Sequence, residues 1–310
     1  MLDVPIYPNF IPLDFSLKET LHPRLSLTTD GVSEFTFSGL YLFKDRYNYK
    51  ISRFCGETDK EKSGFIISGE QPAESAGGCK KFFLTPCCAP DWDILQNLFV
   101  THDYWKNISS SVLEPVQAEL ENRGVVFTED RDNFDYLYYR KDLAELAGKK
   151  FHKKKNHVNN FLNAYPNHEQ KPLSAQTVPD AVKVLDKWLE NANRNASLRE
   201  DGDYKAAKEA LDKFEVLPLK GSVFYIDGNP AAYCAGESIA QGRMFVVHFE
   251  KAIEEYKGLY QFMNKAFAAS LPSFFTYINR EQDLGDEGLR QAKMTYRPCD
   301  FVKKYKGVLS

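Results

Sequence analysis

Asp227-Gly228 separates two strand-like runs, residues 222–226 and 231–239, and this pair limits the fold more than any other feature of the chain. A type I′ turn needs positive φ at both central residues, which Asp and Gly adopt at little cost, so the runs are expected to pair as a hairpin. A second turn pair, Gln241-Gly242, leads into residues 244–249 and extends the hairpin to a three-strand meander. Ahead of it, Val182, Leu185, Trp188 and Leu189 share one helical face, and Tyr204, Ala207, Leu211 and Phe214 share another, with a polar connector over 191–203. Behind it, 258–271 reads as a helix, 274–278 as a strand and 285–293 as a short final helix. Helices bracketing an antiparallel meander and a later strand define an α/β (α+β) domain.

Residues 1–146 also read as mixed α/β. Aromatic-rich strand-like runs at 35–43, 65–67 and 136–139 alternate with helical stretches at 92–99 and 112–121, and Arg123-Gly124 closes the second helix before a strand at 125–127. Residues 75–78 are loop by composition. The sharpest change follows Leu146: residues 149–168 hold five Lys and three His and no acidic side chain. Val158, Phe161, Leu162 and Tyr165 keep helical spacing, so this basic run opens an amphipathic helix that ends before Pro166. A chain of 310 residues exceeds what one core fills efficiently. Two domains are therefore expected, 1–146 and 147–310.

Composition removes several classes of function. The net charge of −3 supplies no global field for nucleic acid, so a polyanion would need a local patch. No apolar run approaches the roughly 18 residues of a bilayer span, and MLDVPIYPNF has neither a basic nor an apolar signal region, so a cytoplasmic protein is expected. The six cysteines show no two-residue gap, which fits reduced thiols. His152 and His157 sit among lysines that repel a cation, and no metal site is expected.

The order helix, helix, meander, helix, strand, helix is similar to a GNAT-type acyltransferase core. In that architecture two splayed strands open a cleft, and the helix after the meander points its N-terminus at the acyl donor. Here that start is Tyr256-Lys257-Gly258. Only Gly258 permits close backbone approach, and Glu254 and Glu255 oppose a polyphosphate, which argues against ordinary coenzyme A binding; a plain helix start explains the segment equally. The second constellation runs from Asn279 to Pro298. Asp286 and Glu287 fall in the first turn of its helix, and Arg290 and Lys293 lie three apart on one face, an order that a capped, solvated terminal helix also explains.

Residues 279–298, with Gly148-Lys149-Lys150-Phe151, 155–161 and Tyr165-Pro166, resemble the phosphatidylglycerol lysyltransferase C-terminal domain family. Phe37-Ser38-Gly39-Leu40-Tyr41 and 129–136 extend the resemblance over nearly the whole chain. It implies two tandem GNAT-like domains and kinship with Fem-type aminoacyltransferases, which take an amino acid from aminoacyl-tRNA and form an amide or ester without coenzyme A. Gly288-Leu289 followed by Ala292-Lys293 is similar to their Gly-Leu…Phe-Lys signature, which by position places Lys293 at the reacting carbonyl; Ala292 departs from the pattern. The membrane-embedded flippase half is not in this sequence, so the resemblance alone implies no lipid acceptor.

Transfer from an aminoacyl ester requires a nucleophile to lose a proton and an oxyanion to be stabilised. The resemblance makes Lys293 and Arg290 the cations. Glu250, Glu281 and Asp283 are the candidate bases, with Asp283 preferred and a helix-cap role as its alternative. Glu250, Tyr256, Lys257, Gly258, Asn279, Arg280 and Glu281 are expected to contact substrate. Lys149, Lys150, Lys153, Lys154 and Lys155, with Phe151 and Tyr165 nearby, could grip tRNA phosphates or form a solvated linker. The expected function is transfer to a small amine, lipid or envelope precursor, with aminoacyl-tRNA or acyl-coenzyme A as co-substrate and no tightly bound cofactor. A coenzyme A-dependent N-acyltransferase and a non-catalytic binding protein are the alternatives. The first domain lacks a Gly-Leu…Lys helix and is expected to be structural or to shape an acceptor groove.

Overall fold

The computed structural model describes residues 4–55, 63–72, 78–193 and 200–310. Of the expected loops, 75–77 and the 194–199 part of the polar connector lie outside the described residues. The chain forms two compact units. The first comprises 1–135, 282–285 and 302–310, and the second 136–281 and 286–301. A single cut at 146/147 therefore does not separate them. Strand partners, not proximity in sequence, decide membership, and the basic run marks the start of a helix rather than a boundary.

The first unit carries a sheet in the order β1-β2-β3-β4-β5-β14-β6, formed by β1 (Ile11–Pro12), β2 (Lys50–Cys55), β3 (Ser63–Pro72), β4 (Cys79–Leu84), β5 (Tyr104–Ser109), β14 (Lys304–Leu309) and β6 (Val125–Glu129). Only β4 and β5 run parallel among these pairs. Ile51, Ile66, Phe82, Phe83 and Trp105 are fully buried, and the Trp105 indole N–H donates to Thr85 Oγ1 at 3.1 Å. Lys304 is buried too. Its ammonium donates to Asp135 at 2.7 Å and Glu34 at 2.5 Å, and the Ser33 amide and hydroxyl complete the Asp135 shell, so the buried charges are paired and hydrogen-bonded.

Six helices are described in this unit: α1 (Lys18–Leu25), α2 (Phe37–Leu42), α3 (Lys44–Tyr47), α4 (Trp92–Thr101), α5 (Ser110–Leu113) and α6 (Gln117–Asn122). Two depart from expectation. The aromatic run at 35–43 is helical at α2, because Thr36 caps it by accepting the Gly39 amide at 2.8 Å and Phe37, Leu40 and Tyr41 bury one face at i, i+3, i+4 spacing. The helix expected over 112–121 is split into α5 and α6 around Pro115, which supplies no amide hydrogen to a continuous helix.

The second unit carries the order β13-β7-β12-β11-β10-β9-β8, from β13 (Asp300–Val302), β7 (Asp135–Tyr139), β12 (Tyr277–Asn279), β11 (Met244–Ala252), β10 (Asn229–Ile239), β9 (Lys220–Ile226) and β8 (His168–Pro172). The meander forms as expected, with Asp227 at φ 50° and Gly228 at φ 78°. The strand expected at 274–278 starts only at Tyr277, and Phe274 is exposed. Around the sheet lie α7 (Arg140–Glu145), α8 (His152–Ala164), α9 (Val178–Asn193), α10 (Glu200–Asp212), α11 (Leu259–Ser270) and α12 (Glu287–Met294). Stacking of Phe161 on Phe262, centroids 4.6 Å apart, fixes α8 on α11.

One irregularity positions the site. Between β10 and β11 the register jumps from Ala235↔Phe249 to Gly236↔Val247, leaving His248 as the extra residue of a bulge. Only glycine fits opposite, since a Cβ on Gly236 would lie 1.9 Å from the Val246 carbonyl oxygen.

Candidate functional site

The parallel partners β11 and β12 pair from Met244–Val246 against Tyr277–Asn279; β12 then ends while β11 continues to Ala252. Where that pairing stops, the chain turns through Asn279, Arg280 and Glu281. Glu281 sits at φ 56°, a left-handed conformation that costs a non-glycine residue about 1–3 kcal/mol unless its surroundings enforce it. They do. Asn279 Oδ1 accepts the Glu281 amide at 2.7 Å, and the Glu281 carbonyl accepts from the Tyr136 amide and the Lys293 ammonium, each at 3.1 Å. Lys293 also donates to the Arg280 carbonyl at 2.7 Å, and the Tyr138 hydroxyl donates to the Lys293 carbonyl at 2.9 Å. The bulge aims His248 at the same turn, with Nδ1 2.8 Å from Glu281 Oε1 and Nε2 3.1 Å from Glu237 Oε1. Burial alone would lower the His248 pKa, but hydrogen bonds and charge from both carboxylates push it up to about 10, so the ring is an imidazolium donating from both nitrogens.

What the turn presents is Arg280. Its Nη2 donates to Glu250 on β11 at 2.5 Å, and the guanidinium lies 5.0 Å from the Tyr296 ring centroid and 5.8 Å from that of Tyr138. Nε and Nη1 are closed to solvent and have no hydrogen-bond partner. The Tyr296 phenol feels the guanidinium's charge and a hydrogen-bonding influence from it, although neither Nε nor Nη1 meets it in standard hydrogen-bond geometry. Lys154 joins from α8: half-buried, its ammonium lies 3.9 Å from the Tyr296 ring centroid. Burial, and then repulsion from Arg280, lower the Lys154 pKa to about 8. Two cations therefore share the ring of Tyr296, and Arg280 is paired with Glu250.

Several expected roles change. Lys293 is not open to an acyl carbonyl: it is 8% exposed and its ammonium is committed to main-chain oxygens, making it a brace for Arg280 and Glu281. Arg290 stands half-buried one turn earlier on α12. Asp283 belongs to the first unit, where its buried carboxylate accepts the Gly285 amide on Oδ1 at 2.9 Å and pairs with Arg131 through Oδ2 at 3.3 Å, so both of its oxygens are engaged. Nor does it cap the helix. Asp286 does, accepting the Leu289 amide at 2.8 Å. Gly258 is closely packed: at φ 88°, an added Cβ would meet the His157 carbonyl oxygen of α8 at 2.7 Å. Tyr256 packs edge-on against Tyr165, and Lys257 is exposed.

The basic run divides as well. Lys149, Lys150, Lys153 and Lys155 are exposed, with Lys150 paired to Asp142 at 2.7 Å, whereas Lys154 turns toward Arg280. Phe151 is buried in a small core cluster with Leu146 and Val158, so it cannot stack on a base. Glu250, Asn279, Arg280 and Glu281 do come together. Sequence reasoning missed His248, Glu237, Tyr138 and Tyr296; no local pattern marks a bulge, and the only available signal was Gly236 inside a strand-like run. Among the described residues no cluster of His, Cys, Asp or Glu suits a metal, and no helix is long and apolar enough to cross a membrane.

A meander, a parallel fourth strand and a left-handed turn where their pairing stops define a tandem GNAT-like α/β protein, with one mixed sheet in each unit. The family model for phosphatidylglycerol lysyltransferase, C-terminal, matches residues 26–306, and the chain belongs to that family. A crystal structure of a conserved protein of unknown function from Bacteroides thetaiotaomicron is similar at TM-score 0.83 and 28% identity, covering 97% of this chain and 99% of that one. The crystal structure of FemX shares the fold at TM-score 0.62 and 8% identity, covering 94% and 96% of the two chains. An uncharacterized protein of Mycoplasmoides gallisepticum is 22% identical over 173 residues, 55% of this chain, and the match spans about half (54%) of that relative's length.

Proposed function

We propose that this chain is an aminoacyltransferase that moves an amino acid from an activated ester, aminoacyl-tRNA, to the hydroxyl or amine of a lipid headgroup or envelope precursor. The observation that carries the reading is the strained Asn279–Arg280–Glu281 turn, held by Lys293 and His248 at the point where β11 and β12 stop pairing. Strain maintained by several independent hydrogen bonds is characteristic of functional sites. Family membership supports the chemistry, since the matched family is named for transfer of lysine to phosphatidylglycerol. The packing role of Gly258 disfavours coenzyme A as donor, because the glycine's open side is filled by α8.

Arg280 is the substrate-facing cation, and Lys293 and His248 act through it. The exposed lysines 149, 150, 153 and 155 supply the local positive patch for the tRNA backbone, and binding through them weakens steeply with salt. The test incubates the purified chain with tRNA charged with labelled lysine or another amino acid, and with phosphatidylglycerol vesicles or peptidoglycan-precursor peptides as acceptors. Label is expected in one acceptor, reduced about a hundredfold in Arg280→Gln. Absence of transfer from every charged tRNA, together with a melting temperature raised by acetyl-coenzyme A, would overturn the reading in favour of a coenzyme A enzyme.

A further inference from the structure

We infer that the cavity at the carboxyl ends of the parallel strand pair in the first unit is a binding site for a small free amino acid, its carboxylate received by Arg24 and its ammonium by Asp30. The site lies outside the Arg280 turn, and the inference does not depend on the transferase reading.

The two units repeat one order of elements. In the first, β2, β3 and β4 form an antiparallel meander, α4 follows, and β5 returns parallel to β4; in the second, β9, β10 and β11 are followed by α11 and the parallel β12. Open α/β sheets receive ligands beyond the carboxyl ends of such strands. In the second unit that place holds the Arg280 turn. In the first it holds a cavity of about 250 Å³, lined by Pro86 and Cys87 just past β4, by Ser111 two residues past β5, and by Arg24, Leu27 and Asp30 from the end of α1 and the segment after it. Sites for drug-sized ligands span roughly 300–1,000 Å³, so this one is too small to enclose a nucleotide or coenzyme A.

Two opposite charges line the cavity without an ionic partner in the protein. The Arg24 guanidinium packs over the Phe65 ring, 5.5 Å from its centroid, and among the described residues it makes no hydrogen bond and no ion pair. Asp30 Oδ2 accepts the hydroxyls of Ser109 and Ser111, each at 2.5 Å, while Oδ1 has no donor among the described residues. Ser109 is buried, so its hydroxyl pins the carboxylate and leaves Oδ1 as the open acceptor. The segment between the two charges is fixed as well: the Leu27 and Thr28 amides donate to the Arg24 and Leu25 carbonyls at 3.2 Å each, and the Thr28 hydroxyl donates to the Leu25 carbonyl at 2.8 Å. A site ordered in advance spends less free energy on ordering when a ligand arrives.

The pairing of charges selects the ligand. A simple anion would answer Arg24 but bring its charge to Asp30, and a simple amine would answer Asp30 but be repelled by Arg24. A molecule carrying both groups meets both and adds no net charge. Free amino acids are the smallest common molecules of that kind, and Leu27 and Pro86 supply an apolar wall for a short side chain.

The test is calorimetric titration of the full chain at pH 7 with glycine, L-alanine and L-serine, beside glycinamide, which lacks the carboxylate, and N-acetylglycine, which lacks the ammonium. Wild type is expected to bind at least one of the three amino acids, at least about tenfold more tightly than either blocked compound, because each of those loses a charge-assisted contact. Arg24→Gln, altered at an exposed position and so expected to fold, should weaken binding at least about tenfold, as should Asp30→Asn, whose side-chain oxygen still accepts the serine hydroxyls. Arg280→Gln should bind as wild type does. Binding of none of the three amino acids, equal binding of glycinamide or N-acetylglycine, or full affinity in Arg24→Gln overturns the inference. Binding lost in Arg280→Gln and kept in Arg24→Gln would put the amino acid in the second unit and overturn it too. Amino-acid binding that needs Arg24, in a chain that transfers nothing, would remove only the transferase reading.

Discussion

At the scale of single residues, the site is governed by charges that the fold has made unable to relax. His248 is clamped between Glu237 and Glu281, and its folded-state pKa of about 10 stands above the ordinary histidine value. A raised pKa stabilises the fold fully below about pH 6.5 and loses that contribution as pH rises through 10. Lys154 works oppositely: its depressed pKa makes stability rise between about 8 and 10.5. The His248 effect is therefore read as a difference. Between pH 7 and pH 10 the urea midpoint of wild type should fall relative to that of His248→Gln; parallel curves would show that the clamp carries no charge. Lys293 makes a second prediction. Lys293→Met keeps the side-chain length but takes the ammonium donor from the Arg280 carbonyl and leaves the Glu281 carbonyl with the Tyr136 amide alone, so stability should drop by about 2 kcal/mol in urea titration. If Lys293 instead worked only at substrate, stability would be unchanged.

At the scale of elements, boundaries follow caps and breakers. Asp286 starts α12 by accepting the Leu289 amide, and the acidic first turn with Lys293 in the last turn matches the helix dipole. Asp286→Ala should cost about 1 kcal/mol. Hydrogen exchange should quicken at the first amides of α12 and leave β10 unchanged; uniform quickening would mean that α12 unfolds only with the whole unit. The two helices that were misread follow the same logic. Thr36 and the 37/40/41 spacing made α2 helical despite its aromatic content, and Pro115 divided α5 from α6.

At the scale of the whole molecule, chain order and unit membership separate. The C-terminal β14 lies between β5 and β6 of the first sheet, while β7, from the first half of the sequence, lies between β13 and β12 of the second. A fragment of residues 147–310 lacks an interior strand of its own sheet and carries a strand belonging to the other. Separate expression of 1–146 and 147–310 should therefore yield chains without cooperative thermal transitions, measured by circular dichroism. A cooperative transition in 147–310 alone would show that β7 is dispensable.

The meander, the amphipathic α8 and the overall α/β class were legible in sequence, because turn residues at 227–228 and apolar spacing at 158, 161 and 162 act over a few residues. The motif from 279 to 298 likewise marks the segment that carries the left-handed Glu281 turn and α12. How its side chains are placed was decided elsewhere: the bulge that aims His248, the turn that Lys293 braces and the approach of Lys154 to Tyr296 from a run of otherwise exposed lysines all depend on residues tens of positions apart. Local sequence determines how each segment prefers to bend and which face it buries. Burial, and hence which charges are stranded or paired, exists only once distant strands have met.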